Sequence, residues 1–295
     1  ITGVLDAKQG RDVMTFDIPN AFVQTPIPER GEKIIMKIRG RLVDILIEIC
    51  PGVYDDYVVY EGKNKVLYVK MLRALYGMLI SSVLYYNKFR KDIESIGFEV
   101  NPYDICVANR TIEGKQHTVT WHVDDLKSSH MDPRVNDKFH IWCEKVYGSE
   151  ELGHVKVVRG NRHDYLAMIL DYSVPGAMKL DMIYYILQMI KDFPYDIKSI
   201  TTNPWTEKLF KVNNESKNLD DERRAVFHTF VMKAMFLCKR ARPDINPANG
   251  FLSSRVKEPN EGDWNKLLKT MGFLKGTVND VLQLEADDKQ TLSWY

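Results

Sequence analysis

The sequence predicts an α+β fold in two parts, because mixed strand and helix patterns give way to mainly helical ones near residue 175. Before that point, short alternating or apolar runs are interspersed with segments whose apolar residues recur every three or four positions. Beyond it, the helical spacing continues in Asp181 to Phe193, Asp220 to Arg240 and Asp263 to Lys275. We therefore expect domains at 1–175 and 176–295.

The first predicted strand ends at an aspartate. Val13 to Ile18 has the alternating pattern of a strand, with Asp17 near its end. Pro19 has no backbone N–H and would stop the strand, and Asn20 could begin a helical turn. Asp17 is therefore expected where a strand ends.

Turn residues between short runs predict hairpins. Residues 28–70 contain several apolar runs separated by turn signals, and Glu113 to Lys115 is a turn between Ile105 to Ala108 and Thr118 to Val123. Asp124-Asp125 would then lie at the end of the second strand of that hairpin. Two further strands are predicted, at Val155 to Val158 and Tyr165 to Leu170.

Two helices are predicted within the first part. The first runs from Leu79 to Ile96 and ends at Gly97. The second begins at Asp132-Pro133 and ends at Gly148. The apolar face expected for the first helix comprises Val83, Tyr86, Phe89, Ile93 and Ile96.

Composition excludes several classes of protein. The formal net charge of +1 provides no basic excess, so charge alone does not indicate a nucleic-acid partner. No apolar run reaches about eighteen residues, and the N-terminus lacks the order of a signal peptide. The four cysteines lie far apart and lack zinc-ligand spacing. We expect a soluble, intracellular chain that was cut from a longer one, has reduced thiols and has no membrane partner.

Carboxylates at two predicted strand ends are the strongest chemical signal. Asp17 and the pair Asp124-Asp125 are remote in sequence, and folding would have to bring them together. Mg²⁺ takes oxygen ligands, often one or two carboxylates with water and phosphates. Two such ions could activate a hydroxyl and stabilise a leaving pyrophosphate. On these residues alone, the alternatives are an ordinary turn aspartate and a chance pair.

Several segments, in order, resemble the reverse transcriptase of copia-type retrotransposon polyproteins. Asp17 to Phe22 is similar to the family's Asp-Val-x-Asn-Ala-Phe, and Leu75 to Met78 to its Leu-Tyr-Gly-Leu. His122 to Leu126 matches Tyr-Val-Asp-Asp-Leu except at its first residue. The later similar segments are Tyr165 to Met168 (Tyr-Leu-Gly-Met), Ala241 to Ile245 (Thr-Arg-Pro-Asp-Ile) and the helix from Trp264 to Thr277.

The resemblance implies a polymerase palm, an antiparallel sheet with packed helices and partial fingers, at 1–175. A mainly helical thumb or connection region would follow at 176–295, before a ribonuclease H domain. The implied activity is RNA-directed DNA synthesis with two Mg²⁺ ions, or Mn²⁺ in their place, and no other cofactor. The implied partners are an RNA or DNA template-primer, deoxynucleoside triphosphates and the rest of the polyprotein, including integrase and ribonuclease H. The implied location is a cytoplasmic particle or the nucleus.

The resemblance also implies metal ligands. Asp17 and Asp124 would be the principal ligands and Asp125 a second carboxylate, while the backbone carbonyl of Ile18 could reach a metal. His122 replaces the family's usual tyrosine and is interpreted as a spectator.

Substrate-binding residues are implied in the same way. Phe22 would lie under the sugar and reject a 2′-hydroxyl, although a core aromatic is its alternative. Tyr76 and Gly77 would contact the incoming nucleotide, and an ordinary turn glycine is the alternative for Gly77. Ser81 matches a family serine, but a solvent-facing helix serine is the interpretation favoured by the residues.

Departures from the family limit the expected activity. Leu79 and Ile80 stand where the family has Lys-Gln, and few residues precede Asp17, so the fingers strands expected there are missing. We therefore expect little or no polymerisation by this chain alone. Two other hypotheses remain open. One is a decayed or repurposed remnant that binds nucleic acid or protein without catalysis, and the other is an unrelated α/β metal-dependent phosphotransferase.

Overall fold

A computed structural model describes residues 1–29, 33–213, 215–287 and 289. The fold is α+β with antiparallel sheets, as the sequence predicts at this level. No helix within these ranges is long and apolar enough to cross a membrane. The helices are α1 (Thr2–Gln9), α2 (Arg41–Ile49), α3 (Ser81–Ser95), α4 (Pro133–Tyr147), α5 (Ile183–Asp192), α6 (Asp221–Cys238), α7 (Asn246–Arg255) and α8 (Glu261–Gly276).

The strands are β1 (Asp12–Asp17), β2 (Ile35–Arg39), β3 (Val59–Glu61), β4 (Asn64–Lys70), β5 (Glu99–Val100), β6 (Val107–Ile112), β7 (Lys115–His122), β8 (Asp125–His130), β9 (Lys156–Arg159), β10 (Arg162–Tyr165), β11 (Met168–Asp171), β12 (Ala177–Asp181) and β13 (Leu282–Glu285).

The chain groups into two compact units that alternate along the sequence. Unit 1 comprises 1–15, 127–136 and the chain from 158 onward, and unit 2 comprises 16–126 and 137–157. These units are groups of residues that pack closely together, and they need not coincide with functional domains. The predicted domains 1–175 and 176–295 therefore remain predictions.

Unit 2 contains the strands and helices that position the candidate site. Its largest sheet has the strand order β5-β6-β7-β8-β1-β9. Strands β5, β6 and β7 lie wholly in this unit, as do residues 125–126 of β8, 16–17 of β1 and 156–157 of β9. Strands β6 and β7 are antiparallel, with Val107 opposite Thr120. A separate antiparallel sheet has the order β2-β4-β3. The hairpins predicted around residues 60 and 114 are thus confirmed.

Helix α3 buries only part of the predicted face, because Phe89 and Ile93 are buried as expected but Val83 is not. Its buried residues recur every fourth position, whereas Val83 is 55% exposed. A stripe spaced by four covers one face of a helix, and it supplies two aromatic rings to the core. The buried stripe is Ser81, Tyr85, Phe89 and Ile93. Helix α2 was not predicted at all.

Unit 1 contains the remaining helices and an antiparallel sheet in the order β10-β11-β12-β13. The predicted helices near 181–193, 220–240 and 263–275 are confirmed as α5, α6 and α8. Asp220 caps α6 by accepting from the backbone N–H of Arg223 at 2.8 Å. The core here combines Phe227, Val231 and Leu237 of α6 with residues of the other helices.

The strand predicted at Tyr165 to Leu170 is wrong, because a hairpin replaces it. Strands β10 and β11 pair Tyr165 with Met168, which leaves Leu166 and Ala167 as the two turn residues. Their φ angles are 53° and 62°, in the left-handed region that residues with a Cβ rarely adopt. Neither residue is a usual turn former, and the sequence therefore does not signal the turn.

Replacing Ala167 by glycine should stabilise the protein. Glycine removes the steric cost of the left-handed conformation, which outweighs the greater chain entropy that glycine gives the unfolded state. We expect Ala167→Gly to raise the free energy of unfolding by about 1 kcal/mol in urea titrations. The control is Ala7→Gly in α1, for which glycine should lower stability by about 0.5–1 kcal/mol or more. A lower midpoint for Ala167→Gly would contradict the turn geometry.

Candidate active site

The end of β1 lies beside the turn that carries Asp124. Ile18, the residue after Asp17, is buried, and its backbone N–H donates to the carbonyl of Asp124 at 3.1 Å. Phe16 packs edge-on against Phe139 of α4, with ring centroids 5.5 Å apart, and fixes the same strand end. The Asp17 side chain remains 49% exposed. The two acidic positions, remote in sequence, are therefore adjacent in the backbone.

Asp124 lies in a turn and Asp125 begins the next strand, whereas the sequence predicted both at the end of the second strand of a hairpin. Strand β7 ends at His122 and β8 begins at Asp125, so Val123 and Asp124 form the turn between them. Val123 has a φ of 55°, although a β-branched residue strongly disfavours this conformation. Such strain typically persists where surrounding structure holds a functional residue in place. Here the residue that follows is Asp124.

Tyr76 connects the carboxylates to the predicted substrate residues. Its hydroxyl donates to Oδ2 of Asp124 at 3.3 Å, and its ring lies 4.7 Å from the ring of Phe22. Partial burial raises the pKa of Tyr76, and the negative charges of Asp124 and Asp17 raise it further. Tyr76 is therefore within electrostatic reach of both acidic positions.

Phe22 is half-buried and is not one of the buried core residues. Its ring contacts Tyr76 on one side and Tyr85 of α3 on another, with 6.2 Å between the centroids in the second pair. Thr25, directly after the turn at 19–24, accepts through its carbonyl from the N–H of buried Ala74 at 2.9 Å. This bond holds the segment that carries Phe22 against the segment that carries Tyr76.

Gly77 and Ser81 shape the loop before α3. Gly77 has a φ of 91°, a conformation that favours glycine, and nothing lies within 4 Å of where a Cβ would be. Ser81 is only 1% exposed, and its hydroxyl donates to the carbonyl of Leu75 at 2.6 Å. The expectation of a solvent-facing serine is therefore wrong. Ser81 holds the backbone beside Tyr76.

Lys156 was not identified from the sequence. Its ammonium nitrogen lies 3.5 Å from Oδ2 of Asp17, and its side chain is 83% exposed. Lys156 is the first residue of β9, in a segment that the sequence marks only as a strand. No motif or spacing links it to Asp17, and only the sheet brings them together.

Two carboxylates would suit a Mg²⁺ ion that takes its other ligands from water and phosphates. Within the described ranges, no three His, Cys, Asp or Glu side chains lie together as a ready metal-binding group. Mg²⁺ commonly takes only one or two carboxylates and fills its other positions with water and phosphate oxygens. The backbones of Asp17 and Asp124 are adjacent, and both carboxylates lie close enough to Tyr76 to raise the pKa of its hydroxyl. The roles of Asp125 and of the Ile18 carbonyl as metal ligands remain predictions.

The chain was compared with protein-family models and with solved structures. No protein-family model matches the chain. Among solved structures, apo telomerase from Candida Tropicalis aligns with a TM-score of 0.38 and 10% sequence identity, over 94% of this chain. The chain spans 50% of that telomerase chain.

Removing the Ser81 hydroxyl should destabilise the loop that carries Tyr76. Ser81→Ala would leave the carbonyl of half-buried Leu75 without this partner, and we expect the free energy of unfolding to fall by about 1–2 kcal/mol. Ser82→Ala, at the neighbouring exposed position, should change it by less than about 0.5 kcal/mol. Equal values for the two variants in urea titrations would contradict a structural role for Ser81.

Proposed function

We propose that this chain is part of an RNA-directed DNA polymerase of the copia-type retrotransposon family. The observation that carries the proposal is the hydrogen bond from Ile18 to Asp124, because it brings together two segments that resemble the family's catalytic motifs. Tyr76, from a third such segment, donates to the Asp124 carboxylate. Three separate motifs thus meet at one place in unit 2.

The proposed reaction is nucleotidyl transfer. Bound Mg²⁺ would supply activation of a 3′-hydroxyl and neutralisation of the triphosphate. Asp17 and Asp124 would hold the ions, with Asp125 and the carbonyl of Ile18 as further oxygen ligands. These residues position charge rather than react covalently, and positioning can supply much of the catalysis in phosphoryl transfer.

The proposed nucleotide position lies over Phe22. An aromatic ring beneath the sugar would exclude a 2′-hydroxyl and so favour deoxynucleotides. Gly77 leaves its surroundings open, which would let a base or sugar approach the backbone closely. The proposed macromolecular partners are a template-primer and the remaining parts of the polyprotein, integrase and ribonuclease H, in a cytoplasmic particle or the nucleus.

One observation favours a second function, a non-catalytic remnant. Leu79 is fully exposed and Ile80 is partly exposed, at the positions where the family has Lys-Gln. Exposed apolar side chains cannot pair with phosphates, so they weaken any grip on a template. The two functions differ in whether Asp17 and Asp124 bind a divalent cation.

Magnesium binding tests the proposed site. We expect the wild-type chain to bind Mg²⁺ in calorimetric titrations, and Asp17→Asn or Asp124→Asn to weaken binding by at least about tenfold because each removes a charged ligand. Asp125→Asn should have a smaller effect.

The matched control is Asp56→Asn, at an exposed aspartate of the same unit. We expect it to leave Mg²⁺ affinity within about twofold of wild type, since exposed charges far from a site are screened by salt. Equal binding by wild type and the Asp17 and Asp124 variants would refute the site and leave the non-catalytic remnant.

Primer extension tests the activity of the chain alone. With Mg²⁺, a primed template and deoxynucleotides, we expect little or no synthesis, because Leu79 and Ile80 replace polar template contacts. Any synthesis should disappear in Asp124→Asn. Robust, processive extension by the wild-type chain would contradict this prediction.

A further inference from the structure

Both principal carboxylates already have a partner from this chain. The ammonium of Lys156 lies 3.5 Å from Oδ2 of Asp17, and the hydroxyl of Tyr76 donates to Oδ2 of Asp124 at 3.3 Å. The two partners come from different elements, β9 and the loop before α3. Each contact is made to an oxygen that the proposed function assigns to a metal ion.

These contacts have an electrostatic cause. The carboxylates of Asp17 and Asp124 both act electrostatically on the Tyr76 hydroxyl, and negative charges that lie near one point repel each other. An ammonium beside Asp17 and a hydroxyl donor beside Asp124 offset that repulsion when no divalent cation is bound. Both contacts are long for their types, and the Lys156 side chain is largely exposed, so either can be displaced at little cost.

Tyr76 also covers the proposed sugar position. The centroid of its ring lies 4.7 Å from that of Phe22, the residue that would lie under the sugar. The loop on either side is held by the bonds from Ala74 to Thr25 and from Ser81 to Leu75. Tyr76 itself is 58% exposed, so its side chain can turn into solvent while these bonds hold its neighbours in place.

We propose that Lys156 and Tyr76 compete with a divalent cation for the carboxylate oxygens of Asp17 and Asp124. A cation that binds these carboxylates must displace both contacts. This inference rests on the proposed function. The two residues then set the affinity for the metal without being ligands, because each competes for a carboxylate oxygen. Displacement of Tyr76 also uncovers Phe22, so that metal binding opens the nucleotide position.

Removing either competitor should tighten Mg²⁺ binding. We expect Lys156→Met and Tyr76→Phe each to lower the dissociation constant by about two- to fivefold in calorimetric titrations, the range for weak exposed pairs. The double variant should show about the product of the two effects, because the partners act on different carboxylates.

Matched controls separate competition from general charge effects. Lys145→Met removes an exposed lysine of α4 in the same unit, and Tyr103→Phe removes the hydroxyl of an almost fully exposed tyrosine. Both should bind Mg²⁺ as the wild type does. If Lys156→Met and Tyr76→Phe bind no more tightly than these controls, the competition is refuted.

A second readout follows the tyrosine directly. Mg²⁺ should change the near-ultraviolet absorbance of wild type as the Tyr76 hydroxyl loses its carboxylate partner, and this change should be absent in Tyr76→Phe. An identical change in both would overturn the displacement of Tyr76. Loss of binding in Asp17→Asn without tightening in Lys156→Met would refute this inference alone, whereas no Mg²⁺ binding by any variant would refute the proposed function as well.

Discussion

The candidate site depends on one backbone hydrogen bond, from the N–H of Ile18 to the carbonyl of Asp124. Side chains can rotate away, but this bond joins the end of β1 to the turn after β7 through the main chain. Pro19 follows immediately and has no N–H to extend the ladder, so the pairing ends at Ile18. Burial of Ile18 excludes competing water. The last residue of β1, Asp17, therefore lies beside the turn that contains Asp124.

Much of this arrangement could be predicted from local signals. Pro19 and Gly97 mark ends that the structure confirms, and spacing by three or four located α3, α4, α5, α6 and α8. The hairpin turn at Glu113 and Gly114 was also predicted, and both have positive φ angles. These features depend on residues near one another in the chain, so one sequence is sufficient to find them.

The features that were missed depend on remote partners or on atypical turn residues. Val123 and Ala167 occupy left-handed positions without the usual turn chemistry, and β8 and the β10–β11 hairpin were therefore overlooked. The burial of Ser81 follows from the packing of α3, and Lys156 meets Asp17 only because β9 lies beside β1. No periodicity in the sequence encodes such neighbours.

The two strained turns differ in what holds them. Ala167 lies in a hairpin turn of unit 1, where glycine would adopt the same φ without steric cost. Its strain positions none of the proposed site residues. Val123 bears a larger steric cost, and the next residue is the one joined to Ile18 and to Tyr76. Strain that sets the position of a charged side chain is typical of functional sites. The strained conformation of Val123 therefore sets the position of Asp124, the residue that the proposed function makes a metal ligand.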